Sequence, residues 1–161
     1  MNQQRLFDVV RTSPFAVELT EDQIMTLAKI VEVRQLQDGE VLIREGHMDN
    51  SVHVVISGQL AVMKNADGSG YETLHVLKAG EMAGAMGFID GLEHSASLSS
   101  VGASEVFSLS RDKFESLIKT DPVLVYRVMR SIIRGVHIIV RRMNNQYVQL
   151  TNYITKQRGR Y

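Results

Sequence analysis

Hydrophobic positions change their spacing twice along this chain, dividing it into a helical front, a strand-rich middle and a helical back. Up to about Val31 the spacing is helical: Ile24, Leu27, Ala28 and Val31 recur at three- and four-residue steps. Thr20 stands ahead of Glu21-Asp22, with Gln23 three residues on. That is the pattern of a capping box, so a helix is predicted to start at Glu21.

From Glu32 to Leu109 the period falls to two. The runs VEVRQL, EVLIRE, SVHVVIS, QLAVMK, YETLHVL, SASLSSV and SEVFSLS are separated by Asp38-Gly39, Gly46, Ser57-Gly58, Asp67-Gly68, Gly80 and Gly102. Seven or more short strands with such regular turn signals predict a barrel or a double-sheet jelly roll. One stretch breaks the pattern: between Gly80 and His94, glycines flank Ala85-Met86 in an apolar run that is only weakly strand-like.

Helical spacing returns after Leu109. Ser110 is placed to cap a helix with Phe114, Leu117 and Ile118 on one face. Asp121-Pro122 then restarts the helix, an N-cap followed by proline at the first helical position. No proline follows, so the last helix is predicted to run far toward Tyr161. The expected organisation is a barrel with flanking helices over 1–121 and a C-terminal helix with a short basic tail over 122–161.

Along that helix Val125, Met129, Ile132, Val136, Ile139, Met143, Gln146, Leu150 and Tyr153 alternate steps of four and three, the spacing of a coiled-coil seam. Two partners fit such a stripe, the chain's own barrel and a second copy. A helix of roughly 30 residues spans about 45 Å, more than a small barrel covers. A parallel homodimer seam is therefore the favoured expectation. Arg127, Arg130, Arg134, Arg141 and Arg142 then form a solvated flank.

Composition narrows the chemistry. Cysteine is absent, which removes disulfides, iron–sulfur clusters, thiolate zinc sites and thiol catalysis. Lys+Arg and Asp+Glu number 18 each, so no net charge draws the chain to DNA or an anionic membrane. The start, MNQQRLFDVV, lacks a basic-then-apolar signal pattern, and no apolar run approaches a membrane span. A cytoplasmic protein is expected. His47, His53, His75 and His137 show no metal-ligand spacing, and no nucleophile, base and orienter fall together. Neither a metal, nor a cofactor, nor an enzyme is predicted.

The segment DGEVLIREGHMDNSVHVVISGQLAVMK, with glycines at 39, 46 and 58, resembles the front of the cyclic-nucleotide-binding domain of the catabolite activator protein and Fnr family. The resemblance continues through the cassette after Gly80, the Asp121-Pro122 restart and the last helix. It implies an α+β, mainly β fold: a double-stranded β-helix or jelly-roll barrel with N-terminal helices and a long C-terminal dimerisation helix.

In that family the cassette holds the cyclic phosphate with helix-start amides and an arginine, and the ribose hydroxyl with a glutamate. Such groups suit an anion and a hydroxyl donor. Here the cassette reads GEMAGAMGFIDGLEHSAS. Aligned on Gly84 and Ser95-Ala96, the glutamate position carries Ala85 and the arginine position His94. Gly84, Met86, Gly87, Ser95 and Ala96 still offer amides and one hydroxyl, whereas Glu81 and Glu93 are expected on the surface. Ile138-Ile139-Val140 stands where the family places polar residues against the purine. His94 has two readings, a conditional cation for an anion and an inert, partly exposed side chain.

Losing a charged hydrogen bond costs about 1.5–3 kcal/mol, so two losses weaken binding by roughly two to four factors of ten. The resemblance thus implies a non-enzymatic regulatory or signalling homodimer with a degenerate phosphate cassette, and ordinary cAMP binding is not expected. The alternatives are a cAMP or cGMP receptor with non-standard contacts and a haem or small-molecule sensor of the same fold. Beyond itself, the expected partners are a protein or a small ligand. Family transcription factors continue into a helix-turn-helix, and this chain reaches Tyr161 after Lys156-Gln157-Arg158-Gly159-Arg160, so specific DNA binding is not expected. The basic tail reads as a frayed terminus or a weak contact for an acidic partner.

Overall fold

The computed structural model describes residues 2–66 and 69–158; the expected Asp67-Gly68 turn and the tail residues Gly159, Arg160 and Tyr161 lie outside them. Helices α1 (Gln3–Arg11) and α2 (Glu21–Ala28) flank a 3-10 turn at Pro14–Glu18. The capping box forms: the Thr20 hydroxyl accepts from the Gln23 amide, and the Gln23 side chain accepts from the Thr20 amide.

Six strands follow: β1 (Val31–Leu36), β2 (Val41–Ile43), β3 (Ser51–Asn65), β4 (Tyr71–Lys78), β5 (Met82–Ala83) and β6 (Ser97–Ser110). All pairings are antiparallel, in the order β1-β6-β3-β4, with β2 on β6 and β5 on β3. Two of the predicted strand pairs are single long strands, because Gly58 and Gly102 bend a strand where turns were expected. At Gly58 (φ 77°) the β3–β6 register slips, and a Cβ would stand 2.5 Å from the Ala103 carbonyl oxygen. Only glycine allows that backbone approach and that φ. The Ser104 hydroxyl closes the gap, accepting from the Gln59 amide and donating to the Gln59 carbonyl.

The first half of β3 pairs with β5 and the end of β6, its second half with β4 and the start of β6. Each long strand therefore serves two layers. Between the layers lie Leu36, Ile43, Val55, Leu60, Leu77, Leu98 and Val106, all buried. A second core joins the outer sheet face to the helices, where Val52, Val54, Phe107 and Leu109 meet Val10, Phe15, Leu27, Leu124, Val128 and Ile132.

After β5 comes α3 (Ala85–Asp90), and after β6 come α4 (Arg111–Glu115), a 3-10 turn at Ser116–Lys119 and α5 (Pro122–Arg158). Ser110 and Asp121 act as the expected caps, accepting from the Lys113 and Leu124 amides. α5 is 37 residues long. Among the described residues no helix is long and apolar enough to cross a membrane.

The α5 stripe needs a correction. Leu124, Val128 and Ile132 are fully buried in the chain's own core, and Val125, Met129 and Val136 pack half-buried beside them. Ile132 therefore cannot belong to a seam with another chain. Facing outward instead are Tyr126, Ile133, Val140, Tyr147 and Ile154, seven residues apart and 61%, 54%, 47%, 72% and 46% exposed. Together with Met129, Val136, Met143 and Leu150, which the predicted stripe shares, they make the same alternation of steps, with every other position one residue later than predicted. Ile139 is half-buried and Gln146 exposed.

Candidate functional site

β5 leads the chain into the cassette, with Ala83 opposite His53 and Met82 opposite Val54. Gly84 then turns it into α3 with φ 76°, and a Cβ there would lie 2.7 Å from the Ser51 carbonyl oxygen. Ala85 is buried among the helical core, Gly87 is buried and Met86 is exposed. Phe88 anchors the short helix, its ring centroid 5.5 Å from that of Phe114. The weakly strand-like run of the sequence is thus two residues of strand and one short helix.

The other wall of the cassette is the return loop. His94 pairs by its backbone with the preceding loop, its amide donating to the His47 carbonyl and its carbonyl accepting from the Gly46 amide. Its ring occupies the space a Cβ on Gly87 would need, 2.7 Å from Cε1, and Nε2 lies 3.2 Å from the Asp49 carbonyl oxygen. Ser95 is exposed and Ala96 half-buried. Lys64 clamps this region, donating to the Ser95 carbonyl and pairing with Glu45. That pairing, with the Asn65 amide, holds the Glu45 carboxyl below its ordinary pKa.

Behind the cassette lies a polar chain the sequence did not reveal. His53 is 4% exposed; its Nδ1 lies 2.7 Å from the Ser108 hydroxyl and its Nε2 2.9 Å from an Asp49 carboxylate oxygen. A hydrolytic triad has the opposite order, with the carboxylate on Nδ1 and the serine on Nε2. Both ring nitrogens are engaged, so the group fixes position: it ties the loop before β3 to β6 just behind Gly84. Burial pushes the Asp49 carboxyl up, but His53, Ser51 and His94 outweigh it, and the net effect is a pKa below the ordinary value. Asp49 and His53 stand four residues apart on a loop and a strand, and Ser108 joins them only through β3–β6 pairing. Nothing in local spacing announces that.

Glu81 also departs from expectation. Rather than lying free on the surface, it is half-buried, accepting from the Lys78 amide at 2.8 Å and from Arg142 at 3.3 Å. Arg142 also reaches Nε2 of His75 on β4, so the middle of α5 is fastened to the barrel edge. Glu93 is exposed as expected. Of the apolar trio on α5, Ile138 and Val140 are exposed and Ile139 half-buried. Among the described residues no group of His, Asp and Glu is arranged to hold a metal.

In sum, the cassette presents α3's first-turn amides, which any helix leaves without intrahelical partners. It carries no lysine or arginine between Gly84 and Ala96. Residues 33–121 match the family model described as the cyclic nucleotide-binding domain. A lysophospholipase from Candida albicans is 30% identical over 118 residues, covering 71% of this chain and 8% of its own length. The cyclic AMP receptor protein of Thermus thermophilus is 24% identical over 125 residues, covering 78% of this chain and 58% of its own length. The chain thus spans less than two thirds of either relative. A solved cyclic nucleotide-binding domain from Methylobacillus flagellatus superposes with a TM-score of 0.80 at 20% identity, over 91% of this chain and 83% of that one, a likeness of fold. With the family model matching more than half of its residues, the chain belongs to the cyclic nucleotide-binding domain family.

Proposed function

We propose that the chain is a non-enzymatic regulatory module whose cassette does not hold a cyclic nucleotide in the family's manner, and that it acts as a homodimer through α5. The observation that carries the first part is the pair Ala85 and His94. Ala85 offers no acceptor to a ribose hydroxyl, and its methyl lies in the core. The His94 ring is seated on Gly87 against the Asp49 carbonyl, and an imidazole does not replace a permanent bidentate guanidinium. The exposed Tyr126–Ile154 stripe supports the second part, since a row of apolar side chains this regular calls for a matching surface.

Calorimetry tests the cassette. cAMP and cGMP are expected to bind the wild type more weakly than about 100 µM, and the double variant Ala85→Glu with His94→Arg to bind more tightly. Micromolar binding of either nucleotide by the wild type would overturn the reading.

A further inference from the structure

Charge is divided unevenly along the chain. All 18 acidic residues precede Pro122, so the whole of α5 carries no Asp or Glu. Its basic residues are not scattered. Arg127, Arg130, Arg134, His137 and Arg141 alternate steps of three and four, which on a helix makes one nearly straight row about 21 Å long. Arg130, Arg134, His137 and Arg141 are exposed. The expected solvated flank is therefore a continuous row of basic side chains beside the apolar stripe.

One carboxylate already shows what the row holds. Glu18, from the Pro14–Glu18 turn, accepts from Arg134 and lies 3.4 Å from Arg130, so a single acid sits between arginines one turn apart. The hydrogen bond from Arg134, with the charges of Arg130, Arg134 and Arg127, outweighs burial and holds the Glu18 carboxyl below its ordinary pKa. Arg130 is steadied further by the Tyr126 ring, its guanidinium carbon 5.6 Å from the centroid. Toward the C-terminus the row continues without such a partner. Among the described residues neither His137 nor Arg141 has an ion pair.

We propose that this row docks an acidic segment of a partner protein, whose carboxylates sit along the stretch from Arg134 to Arg141 as Glu18 sits between Arg130 and Arg134. Charge complementarity names the partner: the row calls for carboxylates, and the α5 of a second copy has none to give. The partner is a narrow segment rather than an extended polyanion. Glu21 and Asp22 stand exposed beside Gln23, which accepts from Arg127 at the foot of the row, and the other acids lie on the barrel and its flanking helices. A nucleic-acid duplex or an anionic membrane would have to lie against them as well. Arg134 and Arg141 directly follow Ile133 and Val140 of the apolar stripe and are turned about 100° from them, so they stay open when two copies pair along α5. The inference thus goes beyond the homodimer and does not rest on it.

The test is fluorescence anisotropy of the full chain with a labelled alanine-based peptide of about 16 residues that carries glutamate at alternating steps of three and four, and with the same peptide carrying glutamine instead. At about 0.15 M salt the glutamate peptide is expected to bind saturably, with a Kd below about 300 µM, and the glutamine peptide at least about tenfold more weakly. Arg141→Gln, which removes no described ion pair, should weaken the glutamate peptide by about two- to fivefold, and Arg134→Gln combined with it by more. Arg11→Gln with Arg44→Gln makes the same change of net charge outside the row and should leave the affinity within about 1.5-fold. Any of four results overturns the proposal: no saturable binding at millimolar peptide, equal binding of the glutamine peptide, equal losses from the Arg11/Arg44 and Arg134/Arg141 pairs, or tighter binding of duplex DNA or of phosphatidylserine–phosphatidylcholine vesicles at equal negative charge.

Discussion

Ile132 and Ile133 are neighbours on α5 with opposite surroundings, and replacing them separately divides the helix's two roles. Ile132 is fully buried beside Leu124 and Val128, whereas Ile133 is 54% exposed. Truncating a fully buried isoleucine to alanine costs about 2–5 kcal/mol, through lost transfer energy and the cavity left behind. Against a total stability of about 5–15 kcal/mol that is a large fraction. For a chain of this size, about 3 kcal/mol lowers the melting temperature by about 6–12 °C. Ile133→Lys removes nothing from the chain's own core, so its intrinsic cost should stay within about 0.5 kcal/mol. It should instead break the dimer, since a cation would enter the seam from both copies. Melting at two protein concentrations about a hundredfold apart separates the cases, because dimer stability depends on concentration. Ile132→Ala should melt lower at both concentrations and sediment as a dimer. Ile133→Lys should sediment as a monomer with a melting temperature independent of concentration. An Ile133→Lys variant that remains dimeric, or an Ile132→Ala variant melting within about 1 °C of wild type, would refute this division.

Gly58→Ala forces a Cβ to within 2.5 Å of the Ala103 carbonyl at φ 77°, so urea denaturation should show a loss of at least about 2 kcal/mol. A loss under about 0.5 kcal/mol would mean that the bulge relaxes freely. Asp49 titrates below its ordinary value in the folded chain, so its stabilisation is complete above the ordinary carboxylate range and fades as pH falls through the depressed value. The stability gap between wild type and Asp49→Asn should therefore be widest near about pH 7 and narrow toward about pH 2, and a gap constant with pH would contradict the assignment. With acidic and basic residues balanced at 18 each, the chain should not retard duplex DNA in a sequence-dependent way, as a gel-shift series at rising salt would reveal.

What was legible in the sequence was what local spacing controls. Thr20, Ser110 and Asp121 cap where expected because a cap depends only on the next three residues. The period of two located every strand but the two-residue β5, yet glycine's positive φ serves a turn and a bulge alike. Gly58 and Gly102 therefore read as strand ends where they are bends. On α5 the adjacent pairs Val125/Tyr126, Ile132/Ile133 and Ile139/Val140 are all apolar, so two seams that share Met129, Val136, Met143 and Leu150 and differ by one residue at the alternate positions satisfy the same spacing. Burial of Leu124, Val128 and Ile132 decides between them, and that is a tertiary fact. The cassette's composition was plain, but its backing by Asp49, His53 and Ser108 arises from pairings more than fifty residues apart or from packing.

The Arg142 fastening to His75 and Glu81 makes α5 a lever with a fulcrum. From Met143 to Lys156 every residue is exposed, an arm of about 21 Å, while the stretch from Ile132 to Arg142 that lies along the barrel measures about 15 Å. A tilt that moves the inner stretch by 1 Å about that pivot carries the tip by about 1.4 Å, in the opposite direction. The long arm would thus amplify small displacements of the barrel edge at the place where two copies would meet, and cutting the pivot with Arg142→Ala would leave the continuous helix to tilt without that fixed point.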